Sequence, residues 1–595
     1  MMAEPHRDVE RQLQKIGLRR YPYWSLKYLK NVEKWSRPRY KIRTAKDVRV
    51  KTRDGTRLCL DVFRPDSKGR FPALLACSGY SKDVQSLNLP PVPWESPVFD
   101  HTVEAGDHEF FVSRGYVHVI LDARGTGKSD GEFTGPYSGK EQEDCSDVIE
   151  WIARQSWCDG NVGMLGISWY GVIQLLTAAQ QPRHLKAIFP VHFCGNLYRH
   201  AYHEGIPWNY YWVLENVMAV NNPKLISETG LGKKEFERRR RERLQDPDVA
   251  QNSYYTRILA VPKSRPWFAD VLMHPLDGPF WRERSPETKL GRIKVPVYLG
   301  TSWGGSPEMR EAAFDALMNP QLDVSKRLIS WSFLAQYQLP LKDLNGELLR
   351  WYDHHLKGID TGVMDEPPMK LLIRGTNRFR YEHEWPLART KWTKLHLRRS
   401  AKLDPEPENG RDLPADELAH HPPAMASRGE TLAYTTAPFH RATEVTGPLS
   451  LHLHASVDQE DANFIVTVSA VSPAGQKTKL QHGFLKASHR ALDRKRSTPW
   501  KPVHDHTRSE PVEPGRIYEL DISAGAICYV FPEGHRLELE LATQDPFPTP
   551  SWEKMSSMGH LPGGRSTRYR IFRDQEHPSH LLVPMIPETP EDLWI

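Results

Sequence analysis

Hydrophobic and polar residues follow two alternating rhythms in the first third of the chain. Short β-branched runs between turn residues predict a hairpin in VRVKTRDGTRLCLDVFRP and buried strands in FPALLACSGY and YVHVILDARG. Helical spacing follows in EDCSDVIEWIARQ, and a further strand, NVGMLGIS, leads into another helix. Because strands that alternate with helices build parallel sheets covered on both faces, we predict an α/β domain with a doubly wound sheet.

This α/β domain is predicted to be interrupted once. Residues 195–285 are rich in aromatic and charged residues and predict helices inserted over the sheet as a cap. The strand-helix alternation of residues 46–194 resumes over residues 286–367, where the helix GELLRWYDHHLKG closes the domain. Residues 1–45 are expected to form a helical extension that precedes the first strand.

The pattern changes character in residues 368–595. Period-2 runs such as LSLHLHASV, NFIVTVSAV and HRLELELAT are separated by Gly, Pro and Asp turns, which is typical of an all-β sandwich. The stretch from about residue 403 to 428 is rich in Pro and His and predicts a surface loop. We therefore expect a second, all-β domain.

Charge and hydropathy exclude several classes of partner. The 595 residues include 80 basic and 74 acidic ones, a net charge of +6 that is too balanced to favour a nucleic acid. The one dense basic run, Arg238 to Arg243, is typical of a solvated helix face. No stretch approaches the roughly 20 apolar residues of a membrane span, and the first residues lack the apolar core of a signal peptide. A cytoplasmic protein that binds neither nucleic acid nor membrane is expected.

The spacing of cysteine and histidine argues against a metal or disulfide scaffold. The six cysteines are scattered and are expected to be reduced and mostly buried: Cys59, Cys77, Cys145, Cys158, Cys194 and Cys528. His200 and His203 form HAYH, but two histidines without a third ligand nearby are a poor zinc signal. No cofactor motif is visible, so we expect neither a cofactor nor a metal.

One motif carries a clear chemical signal. The run from Gly163 to Gly171, GMLGISWYG, places Ser168 between a strand and a helix, with glycines where a sharp turn brings backbones together. This G-x-S-x-x-G pattern matches a nucleophile elbow, in which a strained turn exposes the serine hydroxyl above the sheet. The elbow also aims the N–H of Trp169 at the place where an oxyanion would form, and Tyr80, after the strand FPALLACSG, is the candidate second donor.

With these residues in place, the chain resembles the cocaine esterase / X-prolyl dipeptidyl-peptidase (CocE/NonD) family of serine hydrolases. The resemblance covers roughly residues 45 to 590 and rests on LDARGTGKSDGEF, the elbow block, HPLDGPFWRERSP, WYDHHLKG, YVFPEGHRLELEL and HPSHLLVP. It implies an α/β-hydrolase domain, a helical cap and a C-terminal jelly roll. It also implies that Ser168 is the nucleophile, that Tyr80 and the Trp169 amide are oxyanion donors, and that the chain could form a homo-oligomer.

The chain departs from the family at two triad positions. The family's acid normally lies in a segment resembling G-W-Y-D-G, but this chain has Gly305 in TSWGGS where the aspartate would stand. The family's histidine normally closes a segment resembling G-P-W-S-H, but this chain has Phe333 in ISWSF. A serine hydroxyl is a poor nucleophile without an adjacent base, so ordinary hydrolysis is doubtful.

The favoured interpretation is that the pocket acts on a small carbonyl-containing metabolite by a non-hydrolytic reaction, such as cyclisation, elimination, isomerisation or condensation. Ser168, Tyr80 and the Trp169 amide would then bind the carbonyl oxygen, and aromatic residues of the cap, Trp208 and Tyr210 to Trp212, would shape the cavity.

Two alternatives stay open. In the first, a substitute base activates Ser168 for esterase, acyltransferase or peptidase chemistry. The candidate bases and acids are His192, which follows the next strand, together with His200, His203, Glu308 and Asp315. In the second, the chain is a non-catalytic relative that binds a ligand.

Overall fold

The computed structural model of the protein describes residues 4–87, 104–303, 306–331, 340–422, 429–545 and 559–595. The helices run α1 Glu4–Lys15, α2 Lys82–Gln85, α3 His108–Ser113, α4 Gly139–Ala153, α5 Trp169–Ala178, α6 Leu197–Ala201, α7 Tyr210–Val217, α8 Ser227–Gly230, α9 Lys233–Gln245, α10 Pro247–Ala250, α11 Ser253–Ala260, α12 Pro266–Met273, α13 Pro279–Arg282, α14 Pro307–Met318, α15 Pro340–Asp343 and α16 Asn345–Lys357.

The strands run β1 Ile42–Lys51, β2 Arg57–Pro65, β3 Phe71–Ser78, β4 Val117–Asp122, β5 Cys158–Ile167, β6 Leu185–Val191, β7 Tyr202–His203, β8 Ile206–Pro207, β9 Val297–Ser302, β10 Lys326–Trp331, β11 Met369–Ile373, β12 Arg378–Glu382, β13 Lys391–Arg398, β14 Lys402–Asp404, β15 Asp416–His420, β16 Thr431–Thr435, β17 Thr443–Val457, β18 Asn463–Val471, β19 Lys477–Lys486, β20 Tyr518–Phe531, β21 Arg536–Ala542, β22 Thr567–Phe572 and β23 His580–Ile586.

The first sheet is the doubly wound α/β sheet that the sequence predicts. Across the described residues its order is β1-β2-β4-β3-β5-β6-β9-β10-β11-β12, parallel from β4 to β11, with antiparallel strands at both edges. All eight residues of β3 are buried, as expected for a central strand that is covered on both faces. The sheet also includes β11 and β12, which follow the predicted domain boundary at residue 367 and end at Glu382.

Residues 195–285 form helices α6 to α13 and one small hairpin, β7–β8. The arginine run lies on α9, where Arg238 pairs with Glu235 and Glu242 on the exposed surface of the same helix. These pairs explain why a strongly basic segment needs no anionic partner. No helix in the described part of the chain has the length and apolar character to cross a membrane.

The second sheet has the order β15-β22-β17-β23-β13-β14-β16-β21-β18-β19, and β20 also pairs with β17, within the residues described. Its alternating apolar residues bury a separate core that includes Leu451, Val466 and Leu539. The loop predicted at 403–428 is wrong in part, because Asp416–His420 pairs with β22; residues 423–428 lie outside the described ranges. All six cysteines are free and buried.

Candidate active site

Ser168 occupies a strained turn between β5 and α5. Its backbone has φ 61° and ψ −118°, a conformation that costs a non-glycine residue about 1–3 kcal/mol and so points to function. The turn is held because the Ser168 N–H donates to the Val191 carbonyl at 2.9 Å. It also needs its glycines, since a Cβ on Gly171 would lie 2.6 Å from the Val191 oxygen, and one on Gly166 would lie 2.3 Å from Tyr170 Cβ.

Trp169 follows the serine and starts α5, so its N–H belongs to the first turn, where a helix leaves its amides unused. The side chain is fully buried, and the indole Nε1 donates to Glu141 Oε1 at 2.7 Å. The other Glu141 oxygen accepts from the Tyr137 N–H at 2.7 Å. Burial raises the pKa of Glu141 to about 7, although these two donors oppose the rise. Glu141 therefore anchors the residue that carries the predicted oxyanion amide.

Tyr80 and Tyr210 add two phenols to the same place. The Tyr80 ring packs edge-on against Trp169, with 5.7 Å between the ring centroids, and the side chain is 3% exposed. The hydroxyls of Ser168 and Tyr80 lie near enough to the Tyr210 phenol to lower its pKa, against the larger effect of burial. Burial raises the pKa of each phenol, so both stay protonated at neutral pH. Two protonated phenols thus lie beside the elbow serine, and the oxyanion role of Tyr80 and of the Trp169 amide stays a prediction.

Glu308 lies within ion-pair distance of both His200 and His203. Glu308 Oε1 lies 3.3 Å from His200 Nε2, and Glu308 Oε2 lies 3.0 Å from His203 Nε2. The second ring nitrogen of His200 lies 2.7 Å from the Tyr211 hydroxyl, and that of His203 lies 2.6 Å from His560 Nε2. The structure therefore brings three of the predicted acid and base residues together as one buried network.

Glu308 and His200 are weak bases at neutral pH. Burial alone would raise the pKa of Glu308, but His203 and His200 outweigh it and lower that pKa to about 2. Burial lowers the pKa of His200 to about 4, against the opposing effect of Glu308. The His200 ring also packs against the Tyr210 ring, with 5.0 Å between the centroids.

The other two candidates differ from expectation. His192 follows β6 as predicted, and its N–H donates to the Gly300 carbonyl at 2.8 Å with a φ of 50°. Burial lowers the pKa of His192 to about 3, with Arg310 adding to the effect, so it is a poor base. Asp315 is wrong as a triad acid, because its half-exposed carboxylate pairs with Lys501 of the β-domain.

Comparison with known proteins places this geometry in a family. Residues 54–329 match the model of the X-Pro dipeptidyl-peptidase (S15 family), and residues 361–582 match that of the X-Pro dipeptidyl-peptidase C-terminal non-catalytic domain. A cocaine esterase from Rhodococcus sp. (strain MB1 Bresler) is 27% identical over 91% of this chain and 98% of its own length. The chain belongs to the cocaine esterase / X-prolyl dipeptidyl-peptidase family of α/β-hydrolases.

Solved structures show the same CocE/NonD fold. A CocE/NonD family hydrolase from Staphylococcus aureus superimposes with a TM-score of 0.72 at 22% identity, over 91% of this chain and 94% of its own. An α-amino acid ester hydrolase superimposes with a TM-score of 0.70 at 17% identity, over 92% and 97% of the two chains. The mixed sheet and the β-rich C-terminal domain are thus the family architecture, and its members are esterases and peptidases.

Gly305 and Phe333, where the family's acid and histidine are expected, lie outside the described residues. The strands that lead to them are described: β9 ends at Ser302 and β10 ends at Trp331. Both strands are parallel to β5 and follow β6 in the sheet, so their carboxyl ends share an edge with Ser168. The assignment of Gly305 and Phe333 to the triad positions stays a prediction.

Sequence reasoning missed three groups beside the elbow. The Tyr210 phenol was considered only as a shaping residue, although it engages Ser168. The sequence does contain one signal for Glu141. Ser138 caps the N-terminus of α4, and Glu141 stands three residues later, which is the glutamate position of a capping box. Glu104 lies in no motif, yet its carbonyl accepts the Ile167 N–H at 3.1 Å and its carboxylate raises the pKa of Tyr80 and Tyr210.

Proposed function

We propose that the chain is a small-molecule enzyme that binds a carbonyl compound at Ser168 and transforms it without hydrolysis. The observation that carries the proposal is what surrounds the nucleophile. The Tyr210 phenol lies near enough to Ser168 for that hydroxyl to affect its pKa, and among the described residues no hydrogen bond joins an imidazole to Ser168; the imidazoles of His200 and His203 bond to Tyr211 and His560 instead. The sequence agrees, because Gly305 and Phe333 stand at the positions of the family's acid and base.

The chemistry of the pocket favours polarisation over nucleophilic attack. Tyr80, Ser168 and the Trp169 amide are neutral donors, so a carbonyl oxygen placed among them gains hydrogen bonds that strengthen as negative charge develops. One such donor is worth about 10²–10³ in rate. An enolate-like or charge-separated transition state is stabilised in this way, which suits cyclisation, elimination, isomerisation or condensation.

Among these reactions, the structure supports those with little demand for a base. Two of the three residues in the network are weak bases at neutral pH, because the pKa of Glu308 is lowered to about 2 and that of His200 to about 4. Cyclisation or condensation of an already activated compound needs carbonyl polarisation and correct orientation more than strong proton abstraction. The stacked rings of Trp208 and Tyr210, 4.6 Å apart, favour a substrate with a planar apolar part.

A serine esterase is the second candidate function. The strained backbone of Ser168 favours it, since that turn is the feature by which hydrolases expose a nucleophile. The relative that is 27% identical over 91% of the chain is named as a cocaine esterase, which supports ester substrates for this alternative. It requires a base other than the family's histidine.

The rate of p-nitrophenyl butyrate hydrolysis distinguishes the non-hydrolytic enzyme from the serine esterase. It is measured for the wild type, for Ser168→Ala and for a double variant that restores the family's acid and histidine. The proposal expects the wild type to be no faster than Ser168→Ala, and expects activity to rise in the double variant Gly305→Asp with Phe333→His. A wild-type rate at least 100-fold above that of Ser168→Ala would establish the esterase and refute the proposal.

Binding of ¹³C-carbonyl acetophenone gives an independent readout. Polarisation by the pocket should move the carbonyl resonance downfield on binding, and Tyr80→Phe should reduce that movement while leaving the fold intact. The same displacement in Tyr80→Phe and wild type would contradict the assignment of Tyr80 as a donor. Tyr254→Phe, an exposed tyrosine of α11, is the matched control.

A further inference from the structure

A second group of titratable side chains lies where the β7–β8 hairpin meets the β-domain. Glu204 Oε2 lies 2.6 Å from His504 Nδ1 and 3.0 Å from His506 Nε2. The three candidate ligand atoms all lie within 4.8 Å of one another. Both imidazoles are buried, with 0% and 2% of the side chain exposed. Two histidine nitrogens and one carboxylate oxygen therefore converge on one point.

The hairpin turn holds the carboxylate in an unusual way. Glu204 and Gly205 are the two residues between β7 and β8, and both have positive φ, 48° and 92°. Such two-residue turns favour Asn-Gly or Asp-Gly, and a glutamate in the left-handed region is strained. Gly205 is needed for close packing, because a Cβ there would lie 2.6 Å from the His489 ring. A strained glutamate aimed at two histidines points to a role for its carboxylate.

The histidines are oriented by neighbours. His489 Nδ1 lies 3.1 Å from His506 Nδ1, which leaves His506 Nε2 directed at Glu204. The Tyr198 ring packs on His506 at 5.0 Å, and the Asp277 N–H donates to the His506 carbonyl at 3.0 Å. A hydrogen bond to the distal nitrogen is the usual way in which a protein fixes the tautomer of a metal-binding histidine.

A positive side chain near the group leaves the carboxylate free of a direct ion pair with it. The guanidinium of Arg199 donates to the His504 carbonyl at 3.5 Å, whereas the ion-pair contacts of Glu204 in the described part of the chain are with His504 and His506. Binding of a metal ion requires the deprotonated forms of these ligands, so it is expected to strengthen as the pH rises.

We propose that Glu204, His504 and His506 bind one divalent transition-metal ion of the zinc class. Two imidazole nitrogens and a carboxylate oxygen are a ligand set that zinc accepts, with bonds of about 2.0–2.2 Å. Ligands of a tetrahedral ion then stand roughly 3.3 Å apart. The two distances from Glu204 Oε2 to the histidine nitrogens, 2.6 and 3.0 Å, therefore need to widen by less than about 1 Å. The fourth position is left for water on the side where Glu204 lines a cavity of about 710 Å³.

The cluster of Asp47, Asp61 and Asp83 is not a comparable site. Lys82 contacts all three carboxylates at 2.7 to 3.0 Å, and Lys128 also reaches Asp47 and Asp83. Ammonium groups already occupy the place that a cation would take. No lysine or arginine forms an ion pair with Glu204 among the described residues.

The test is metal binding to the full-length protein. After dialysis against a chelator, the wild type is titrated with Zn²⁺ by calorimetry and with Co²⁺ by visible absorption. We expect one ion per chain, a Kd below about 1 μM, and the intense visible bands of four- or five-coordinate Co²⁺. Glu204→Gln and His506→Gln should weaken binding at least 100-fold, and His489→Gln about 10–100-fold through loss of the supporting hydrogen bond.

His452→Gln is the matched control. His452 belongs to a separate group of β-domain histidines and bonds to Asp521 at 2.8 Å, so this variant should bind as the wild type does. Loss of binding in His452→Gln with retention in Glu204→Gln would place the metal elsewhere and overturn the proposal. If the wild type does not bind metal stoichiometrically, the proposal is overturned as well, and this result does not depend on whether a variant folds.

Discussion

The carboxyl group that anchors Trp169 should make the protein less stable as the pH rises. Burial raises the pKa of Glu141 in the folded chain to about 7, from an ordinary value of 4.5. The folded state then holds a proton that the unfolded state releases. The stabilisation is fully present below pH 4.5 and is lost as the pH rises through 7. Since one pKa unit corresponds to about 1.4 kcal/mol, the full effect is about 3 kcal/mol.

Glu141→Gln removes this titration and keeps an amide oxygen that can accept from the Trp169 indole. We expect the free energy of unfolding of the wild type, relative to Glu141→Gln, to fall by about 2.5 kcal/mol between pH 5 and pH 8. Urea denaturation of both proteins at several pH values measures this difference. The other buried carboxyl groups contribute equally to the pH dependence of both proteins, so their effects cancel in the difference.

Glu143→Gln is a suitable control, since Glu143 lies on the same helix and pairs with exposed Lys140. It should not change the pH dependence. A difference between wild type and Glu141→Gln that stays constant within about 0.5 kcal/mol from pH 5 to pH 8 would refute the reasoning. Glu141 would then ionise as an exposed carboxyl group does, and Trp169 would lack the buried anchor described above.

Three further predictions concern the elbow and the network beside it. Tyr210→Phe should weaken binding of ¹³C-acetophenone about tenfold by calorimetry, the effect of one lost hydrogen bond, and unchanged affinity would contradict it. Gly171→Ala should lower the free energy of unfolding by more than 2 kcal/mol because of the clash with Val191, whereas Gly230→Ala, with open space around it, should not; equal effects would argue against a tight turn. Glu308→Ala should cost about 1–3 kcal/mol in urea denaturation, and a neutral result would mean that its contacts with the two histidines do not stabilise the fold.

The elbow could be predicted from sequence because it is local. A buried strand, a glycine-flanked serine and an apolar helix follow one another within GMLGISWYG, and the strained backbone of Ser168 is present as expected. Tyr80 could be placed for the same reason, since it closely follows β3, which lies next to β5, the strand that leads to Ser168. Parallel strands end at a common edge, so residues that follow them meet there.

The partners of these residues could not be predicted, because they depend on how distant segments pack. The contact of Tyr210 with Ser168 is set by the fold of residues 195–285 over the sheet, which no periodicity encodes. His504 and His506 reach Glu204 across about 300 positions of sequence.

Reaction with a fluorophosphonate probe tests the central claim most directly. The probe reacts with serines that a base activates, and intact-mass detection on the wild type and on Ser168→Ala shows whether Ser168 is one of them. The account predicts no adduct on the folded wild type beyond that on Ser168→Ala, because the neighbouring Tyr210 phenol has a raised pKa, stays protonated and cannot act as the base. Rapid stoichiometric labelling that disappears in Ser168→Ala would contradict the account and make the protein a serine hydrolase.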